Sequence, residues 1–529
     1  MAVDLAGTTD EPTADRTMPG VPAAVMSTEA APPPVVPRPL ARRQERRQRS
    51  SRRRSYCVLV AMFVVSRVAT ALAGVRFDLW PLRQSVYPLA YPFQLLDPDL
   101  LQHHLVVSLW HLNSQPPLLN LFIGVLLHMP TALRQPVAAS LFFALGLMMV
   151  LCAFATMIEL RVPRWLAVAV CVLVIVDPAF ILYENWLFYA YPTAAILTLS
   201  AFLVVRYAKT MDWRYGLGFF ASITIVALLN STYQLPWLVA AALVLVLAFR
   251  SHWRSVLTVA VVPGLLFVGW VAKDYAQVGS LTTSTWFGMN FSHPTFAAES
   301  PAEINSLVRS RVLTPIAEIP AFSPLAAYVP TYVALPRTGV AAVTETTIPV
   351  GSSNFNNTAY ARVSDLYLHD DLAFIKARPS AYALNVVNSA KRWMIPSDEY
   401  FYLRNNGSKI TGWTDLFDRT VLLTPASTTA ISPLPLADQL SYSEFIIMAG
   451  VLIGALILAW RRRRSDPAWA TTMGYLWIAT AYAFLTTSLF ELGENNRFSF
   501  EVGLIPVIAF VAVISECVRL WSPRRRVGA

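Results

Sequence analysis

Ser108-Leu-Trp110-His111-Leu-Asn113-Ser-Gln115-Pro116-Pro117-Leu118-Leu-Asn120 is the stretch that decides how this chain folds. It lies between two apolar runs and is polar where a membrane-embedded chain tolerates polarity least. Proline cannot continue a helix from its amino-terminal side, but it suits the first turn of a new one. The tandem Pro116-Pro117 therefore predicts a chain that arrives at a membrane face, breaks, and enters as a fresh helix at Leu118. His111, Asn113 and Gln115 are then left at the mouth of a bundle. A capped helix start would explain the same residues. What adds a functional reading is the company of Asp78, Asp97 and Asp99, upstream in the same loop.

Around this stretch the chain is 529 residues long, 55% hydrophobic and 14% charged, with mean hydropathy +0.48. Apolar segments fall near 57–75, 118–130, 137–158, 165–181, 188–208, 215–230, 235–249, 255–272, 443–460, 469–489 and 499–520. Several reach the ~20 residues that cross a bilayer. The expected fold is an all-α polytopic membrane protein with about 10–11 transmembrane segments. A mixed extramembrane region, 273–441, is expected between the eighth and ninth apolar segments. It holds strand-like pieces, polar clusters such as Ser352-Ser-Asn-Phe-Asn356-Asn, and an amphipathic helix near 362–392.

The net charge of +10 is clustered. Arg206/Lys209/Arg214, Arg250/Arg254, Arg461 to Arg464 and Arg524 to Arg526 mark one face, by the rule that basic loops stay cytoplasmic. The charge therefore reports topology rather than nucleic-acid binding. Both termini are expected in the cytoplasm of a multi-pass cell-membrane protein. The 177–191 stretch, the 230–234 turn, 273–441 and 491–497 are expected outside. The domains follow: 1–55 a disordered basic tail, 56–272 an N-terminal transmembrane module, 273–441 extracytoplasmic, 442–522 C-terminal helices, and 523–529 a basic tail. A signal peptide is disfavoured by the position of the first apolar run. Two inside termini demand an even number of spans, yet eleven segments are present. One between 118 and 181 is expected to be re-entrant, with 118–130 the shortest and a cavity beside it. Cys57, Cys152, Cys171 and Cys517 sit in or beside apolar runs and read as small buried hydrophobes.

The candidate chemistry lies in outer-face acids: Asp78, Asp97, Asp99, Asp177, Glu184, Glu491 and Glu494, with Arg497 beside the last. Ionisable groups at a bundle edge are costly to bury and often functional, although Asp-Pro is also a common turn start. No metal-spaced His/Cys cluster, Gly-rich phosphate loop or nucleophile elbow is present in 273–441. Metal dependence stays open.

Over residues 57–210 and 490–510 the sequence resembles the GT-C glycosyltransferases, the protein mannosyltransferase and aminoarabinose transferase-like superfamily. Those integral-membrane enzymes carry an acid in a first outer loop that ends in a His- or Lys-Pro-Pro-Leu element. They have a second acid in a later loop and an Arg-aromatic segment before a final helix. The matching residues are Asp78 or Asp97, Gln115-Pro116-Pro117-Leu118, Glu184, and Asn496-Arg497-Phe498. Gln115 departs from the usual His or Lys, and the first-loop acid is not in an acidic pair, so the choice among Asp78, Asp97 and Asp99 stays open. The resemblance implies transfer of a sugar from a polyprenyl-phosphate donor to a glycan, lipid or protein acceptor. The catalytic candidates are Asp78, Asp97, Asp99 and Glu184. His111, Gln115 and Arg497 would hold sugar or phosphate oxygens. Trp80, Trp110, Trp186 and Tyr189 would stack on the sugar, unless they serve as an interfacial belt. The competing functions are a lipid or glycan flippase and a non-catalytic envelope-assembly protein.

Overall fold

Asp-Pro pairs start three of the helices, and each aspartate does the same job. In the computed structural model, which describes residues 38–79, 93–349, 351–425 and 439–526, Asp97, Asp177 and Asp466 each cap the helix that follows. Their carboxylates accept from the amides of Asp99, Ala179 and Trp469. Proline at the first helical position has no amide to satisfy, and aspartate meets the next orphan donors.

The named elements of the described residues are all helices. Helix α1 (Arg38–Leu72) is followed by α2 (Pro98–His103), α3 (Leu105–Trp110), α4 (Pro117–Leu127) and α5 (Thr131–Glu159). Then come α6 (Arg164–Val176), α7 (Pro178–Glu184), α8 (Ala190–Thr210), α9 (Trp213–Leu229), α10 (Leu235–Ala248) and α11 (Trp253–Val278). The 273–441 region holds α12 (Phe287–Phe296), α13 (Pro301–Arg309), α14 (Ala341–Thr344), α15 (Ala359–Ala377), α16 (Pro379–Trp393), α17 (Arg404–Gly407) and α18 (Thr411–Phe417). Last are α19 (Tyr442–Ala449), α20 (Leu456–Arg462), α21 (Pro467–Phe490), α22 (Asn495–Val502) and α23 (Leu504–Arg526). Every apolar segment expected from the sequence is a helix. Seven are long and apolar enough to cross a bilayer, and the pair α6–α7, bent by 56°, makes an eighth if counted as one span. The protein is an all-α, multi-pass membrane protein.

Several expectations need correcting. Helix α1 begins at Arg38, just after Pro37, so the basic stretch read as a disordered tail is helical from there; its Ala, Arg, Gln and Glu residues are good helix formers. Residues 1–37 lie outside the described residues. The sharp break within 118–181 falls at Asp177-Pro178, whereas 118–130 is a short straight helix starting at Pro117. The amphipathic helix near 362–392 is two helices, broken at Arg378-Pro379 because the residue before proline avoids the helical region. The 273–441 region is not mixed. Among its described residues the only β pairing is an isolated bridge between Thr347 and Ser353. Side-chain amides take the place of strands. Asn354 donates to the carbonyls of Ala342 and Glu345, and Asn357 to those of Thr344 and Glu345. Of the cysteines only Cys171 is buried. Cys57 and Cys517 are exposed, on helix faces that lipid would cover.

Contacts divide the chain into Met1–Arg54 and Ser55–Ala529, and the features of functional interest lie in the second. At one end of its bundle Glu159 binds Arg206 and Lys209, and Asp466 binds Arg161. The opposite set of loops meets elsewhere. Asn230 donates to Glu501, Gln234 to Thr283, Tyr382 to the carbonyl of Leu489, and Ser389 to that of Glu491. The segments expected on the outer face thus gather together, apart from the basic loops.

Candidate active site

The loop after α1 begins in direct contact with the 177–191 stretch. Asp78 donates its amide to the carbonyl of Asn185 (2.8 Å) and accepts at its own carbonyl from Leu187 (3.0 Å), a parallel bridge opposite Trp186. Asn406 closes the turn from the outer region, taking the amide of Arg76 and donating to its carbonyl. Asp78 is partly buried. Around it stand aromatic rings. Trp186 stacks with Phe188 at 4.5 Å and with Tyr402 at 5.8 Å, and Tyr400 lies 5.7 Å away.

Arg497 lies against the same rings. Its guanidinium is 5.1 Å from the Tyr189 ring centre, 5.5 Å from Phe188 and 5.9 Å from Tyr400. It is buried, and two carboxylates take three of its five N–H donors. Nε and Nη2 donate to Glu494 (3.1 and 2.5 Å), and Nη1 donates to Glu501 (2.6 Å). Tyr400 Oη donates to Glu494 (2.7 Å) and Asn230 to Glu501 (2.5 Å). Spacings of three and four put all three charges on one face of α22. The Glu494 side chain is 28% exposed, while that of Glu501 is 1% exposed. Gly493, at φ 125°, supplies the backbone turn that aims Glu494 back over the arginine.

Glu184 ends α7 in a second buried network. Arg67 of α1 reaches both its oxygens through Nε (3.0 Å each) and Oε2 through Nη2 (2.7 Å), and Tyr191 Oη donates to Oε2 (2.7 Å). Arg67 Nη1 also donates to the carbonyl of Ile175, just before the bend. A glycine on α5 admits this pair: a Cβ at Gly146 would lie 2.2 Å from Tyr191 Oη and 2.7 Å from Glu184 Oε2.

The other sequence candidates meet a different surface. Asn120 accepts from the amide of Leu96 and donates to the carbonyl of Gln94, which fixes the approach to Asp97. Asp97 is buried, and burial pushes its carboxyl above the usual range against the pull of the Asp99 amide. Asp99 is exposed and pairs with His103 at 3.0 Å. His111 caps the end of α3; burial and then Lys273 lower its pKa. Gln115 is buried. The loop between them is held by the outer region. Asn356 accepts from the amides of Asn113 and Ser114 and donates to the carbonyl of His111. Lys273 donates to the carbonyl of Leu112 and Ser284 to that of Ser114. Trp110 is exposed, and Trp80 lies outside the described residues. So Trp186, Tyr189 and Arg497 share one aromatic cluster, and the backbone of Asp78 is bridged to that of Trp186, with Glu184 one residue from the bridge. Asp97 and Asp99 stand at the start of α2, and His111 and Gln115 in the loop after α3.

The sequence reading passed over Arg67, Glu501, Tyr400, Asn120 and Asn356. For the first a signal existed, since an arginine inside the apolar run 57–75 demands a partner. A cavity is present beside the bend between α6 and α7. It has a volume of about 140 Å3 and is lined by Phe180, Trp393, Met448 and Phe500, with Asp177 and Glu444 among its polar groups. Among the described residues, no three His, Cys, Asp or Glu side chains are placed to hold a metal ion.

A search of protein-family models and of curated proteins finds no match to the chain. Among solved structures, ArnT from Cupriavidus metallidurans bound to undecaprenyl phosphate is similar over 84% of this chain and 77% of that one, at 13% identity and a TM-score of 0.32. At that TM-score the likeness carries no argument about the site, which stands on its own residues.

Proposed function

We propose that this protein is an integral-membrane glycosyltransferase that moves a sugar from a polyprenyl-phosphate donor to a glycan, lipid or protein acceptor on the extracytoplasmic face. The observation that carries the reading is the backbone bridge from Asp78 to Asn185 and Leu187, opposite Trp186, whose ring neighbours Phe188 and Tyr400 also flank Arg497. In this reading Asp78 takes the proton of the acceptor hydroxyl as that oxygen bonds to the anomeric carbon. The bond from that carbon to the donor phosphate breaks, and the phosphate leaves toward Arg497, whose planar fork matches two of its oxygens. Glu494, the exposed partner, yields its place to the phosphate, while the buried Glu501 keeps the arginine oriented. Trp186 and Tyr189 offer faces to the sugar. Glu184 acts by position, since Arg67 and Tyr191 engage both its oxygens.

Sugar transfer by the purified protein from labelled polyprenyl-phosphate donors is the test. Asp78→Asn is expected to cut transfer about 10²–10⁴-fold, the usual cost of a positioned base, with the protein still monodisperse; Asp97→Asn and Asp99→Asn are expected to keep it. Loss in Asp97→Asn with full activity in Asp78→Asn would move the base to the other end of the loop. Movement of lipid phosphate across vesicles with no transfer to any acceptor would favour a flippase. For the sidedness, a cysteine at exposed Arg337 is expected to react with an impermeant reagent on intact cells, and one at Arg462 only after the membrane is opened.

A further inference from the structure

Three arginines and two acids meet at the end of the bundle away from the Arg497 network. The turn after α5 is tied to α21 by Trp469, whose Nε1 donates to the carbonyl of Leu160 (3.3 Å). In that turn Arg161 Nη2 lies 2.7 Å from Asp466 Oδ2, and the Asp466 amide donates to the carbonyl of Arg462 at the end of α20 (2.8 Å). Arg462 and Arg519 of α23 then share one carboxylate, facing Oε1 and Oε2 of Glu516. Arg161 stands at φ 66°, in the left-handed position that closes α5, where glycine is usual and a long side chain is disfavoured.

The charges do not balance. Three guanidinium groups face two carboxylates, and Arg461, Arg463 and Arg464 stand exposed in the same turn. The acids are the inward members. The Glu516 side chain is 3% exposed, against 37% for Arg519 and 56% for Arg161. Each guanidinium carries five donors, and these ion pairs engage Nη2 of each. Arg519 Nη2 is 3.1 Å from Glu516 yet out of line for a hydrogen bond, so Glu516 holds Arg519 by charge without meeting its donor. The cluster therefore has both charge and donors left for a further anion.

Exposed tryptophans say where that anion comes from. Trp165 follows the Arg161 turn on α6, Trp460 precedes Arg461 on α20, and Trp521 lies two residues beyond Arg519 on α23. The Arg463 guanidinium is 4.2 Å from the Trp460 ring centre. Tryptophan at helix ends marks the headgroup level of a bilayer, and α20 and α23 belong to membrane-spanning helices. Ile457 of α20 and Val518 of α23 are exposed apolar residues on the lipid side of the arginines. A basic pocket between helix ends at this level suits a lipid head.

We infer that this cluster binds the phosphodiester head of an anionic membrane phospholipid, the phosphate among Arg161, Arg462 and Arg519 and the acyl chains along α20 and α23. The site is separate from the Arg497 network and stands whether or not the protein transfers sugars.

The test uses the full-length protein in micelles of an uncharged detergent, with radiolabelled dioleoylphosphatidylglycerol as the probe. Saturable binding is expected. Dioleoylphosphatidylcholine should compete about tenfold or more weakly, because its choline offsets the phosphate charge. Glycerol phosphate, a head without chains, should compete about tenfold or more weakly as well. Arg161→Gln and Arg519→Gln are each expected to weaken binding about tenfold. Arg254→Gln, in another exposed basic turn, should change it less than about twofold. Equal binding of the two lipids by the unaltered protein, or equal loss in all three variants, would reduce the cluster to a general basic surface and overturn the assignment. Competition by glycerol phosphate as strong as by the lipid would put a soluble phosphate there instead. Unchanged affinity in both cluster variants would overturn it too. Because the comparison of lipids needs no substitution, a variant that fails to fold does not rescue the idea.

Discussion

Among the described residues two arginines, Arg67 and Arg497, sit in cages of carboxylate and aromatic ring. Arg67 has Glu184, Tyr191 and the rings of Phe63 and Phe180 at 4.3 and 5.0 Å; Arg497 has Glu494, Glu501 and the rings of Phe188, Tyr189, Tyr400 and Phe498. The difference lies in access. Around Arg67 both ion-pair partners are nearly shut off, at 9% and 6% side-chain exposure. Around Arg497 one partner is sealed and the other is 28% exposed. A fully sealed pair is a fixture, since opening it would strand a charge in low dielectric. A half-sealed one has a partner that another anion can replace from water.

That contrast can be broken, most forcefully at Arg67. Arg67→Ala leaves Glu184 uncompensated beneath the bend at Asp177-Pro178, and the loss of stability is expected to be about 3–5 kcal/mol. Thermal unfolding in nanodiscs measures it. The contrast fails if Arg67→Ala unfolds no sooner than the parent. At Arg497 the expected damage is to turnover: about 10²–10³-fold for Arg497→Ala, as when a preorganised donor to a departing anion is removed. Arg497→Lys should do less, because it keeps charge and loses the fork. If Arg497→Ala lowers the melting temperature but leaves donor dependence intact, the two arginines are alike after all. The smallest effect sharpens the comparison. Glu494→Gln should lower the half-saturating donor concentration only a few-fold, in keeping with the modest worth of a partly exposed ion pair, whereas Glu501→Gln should not lower it. Donor titrations of the two variants decide the point.

Much of this was legible in the sequence. Each of the eleven apolar runs is helical, three of them divided between two helices, because a bilayer allows few alternatives. The Pro-Pro break at residue 116 worked as expected. Arg497 with a nearby glutamate could be read from the spacing, although Glu501, in the same Asn496–Glu501 segment, was given no role because it sits inside an apolar run. The Arg67–Glu184 pair could not be read, since its members are 117 positions apart. Asn356 was visible only as part of a polar cluster; its role as the clamp on residues 111–114 depends on a docking that no periodicity records. The acids Asp398 and Asp418 likewise look like ordinary loop residues until the fold buries them.

Helix α10 has only 14 residues, yet Leu235, Val239, Leu243 and Leu247, every fourth position, stand exposed along one side. A helix of that length offers lipid a greasy wall about 21 Å tall, against a hydrocarbon layer about 30 Å thick. Where lipid meets that wall, the leaflets thin or flanking side chains snorkel, at a cost of about a fraction of a kcal/mol for each ångström of mismatch. A membrane with shorter acyl chains relieves that cost and a thicker one raises it, so the thickness of the host bilayer becomes a mechanical load on this side of the protein.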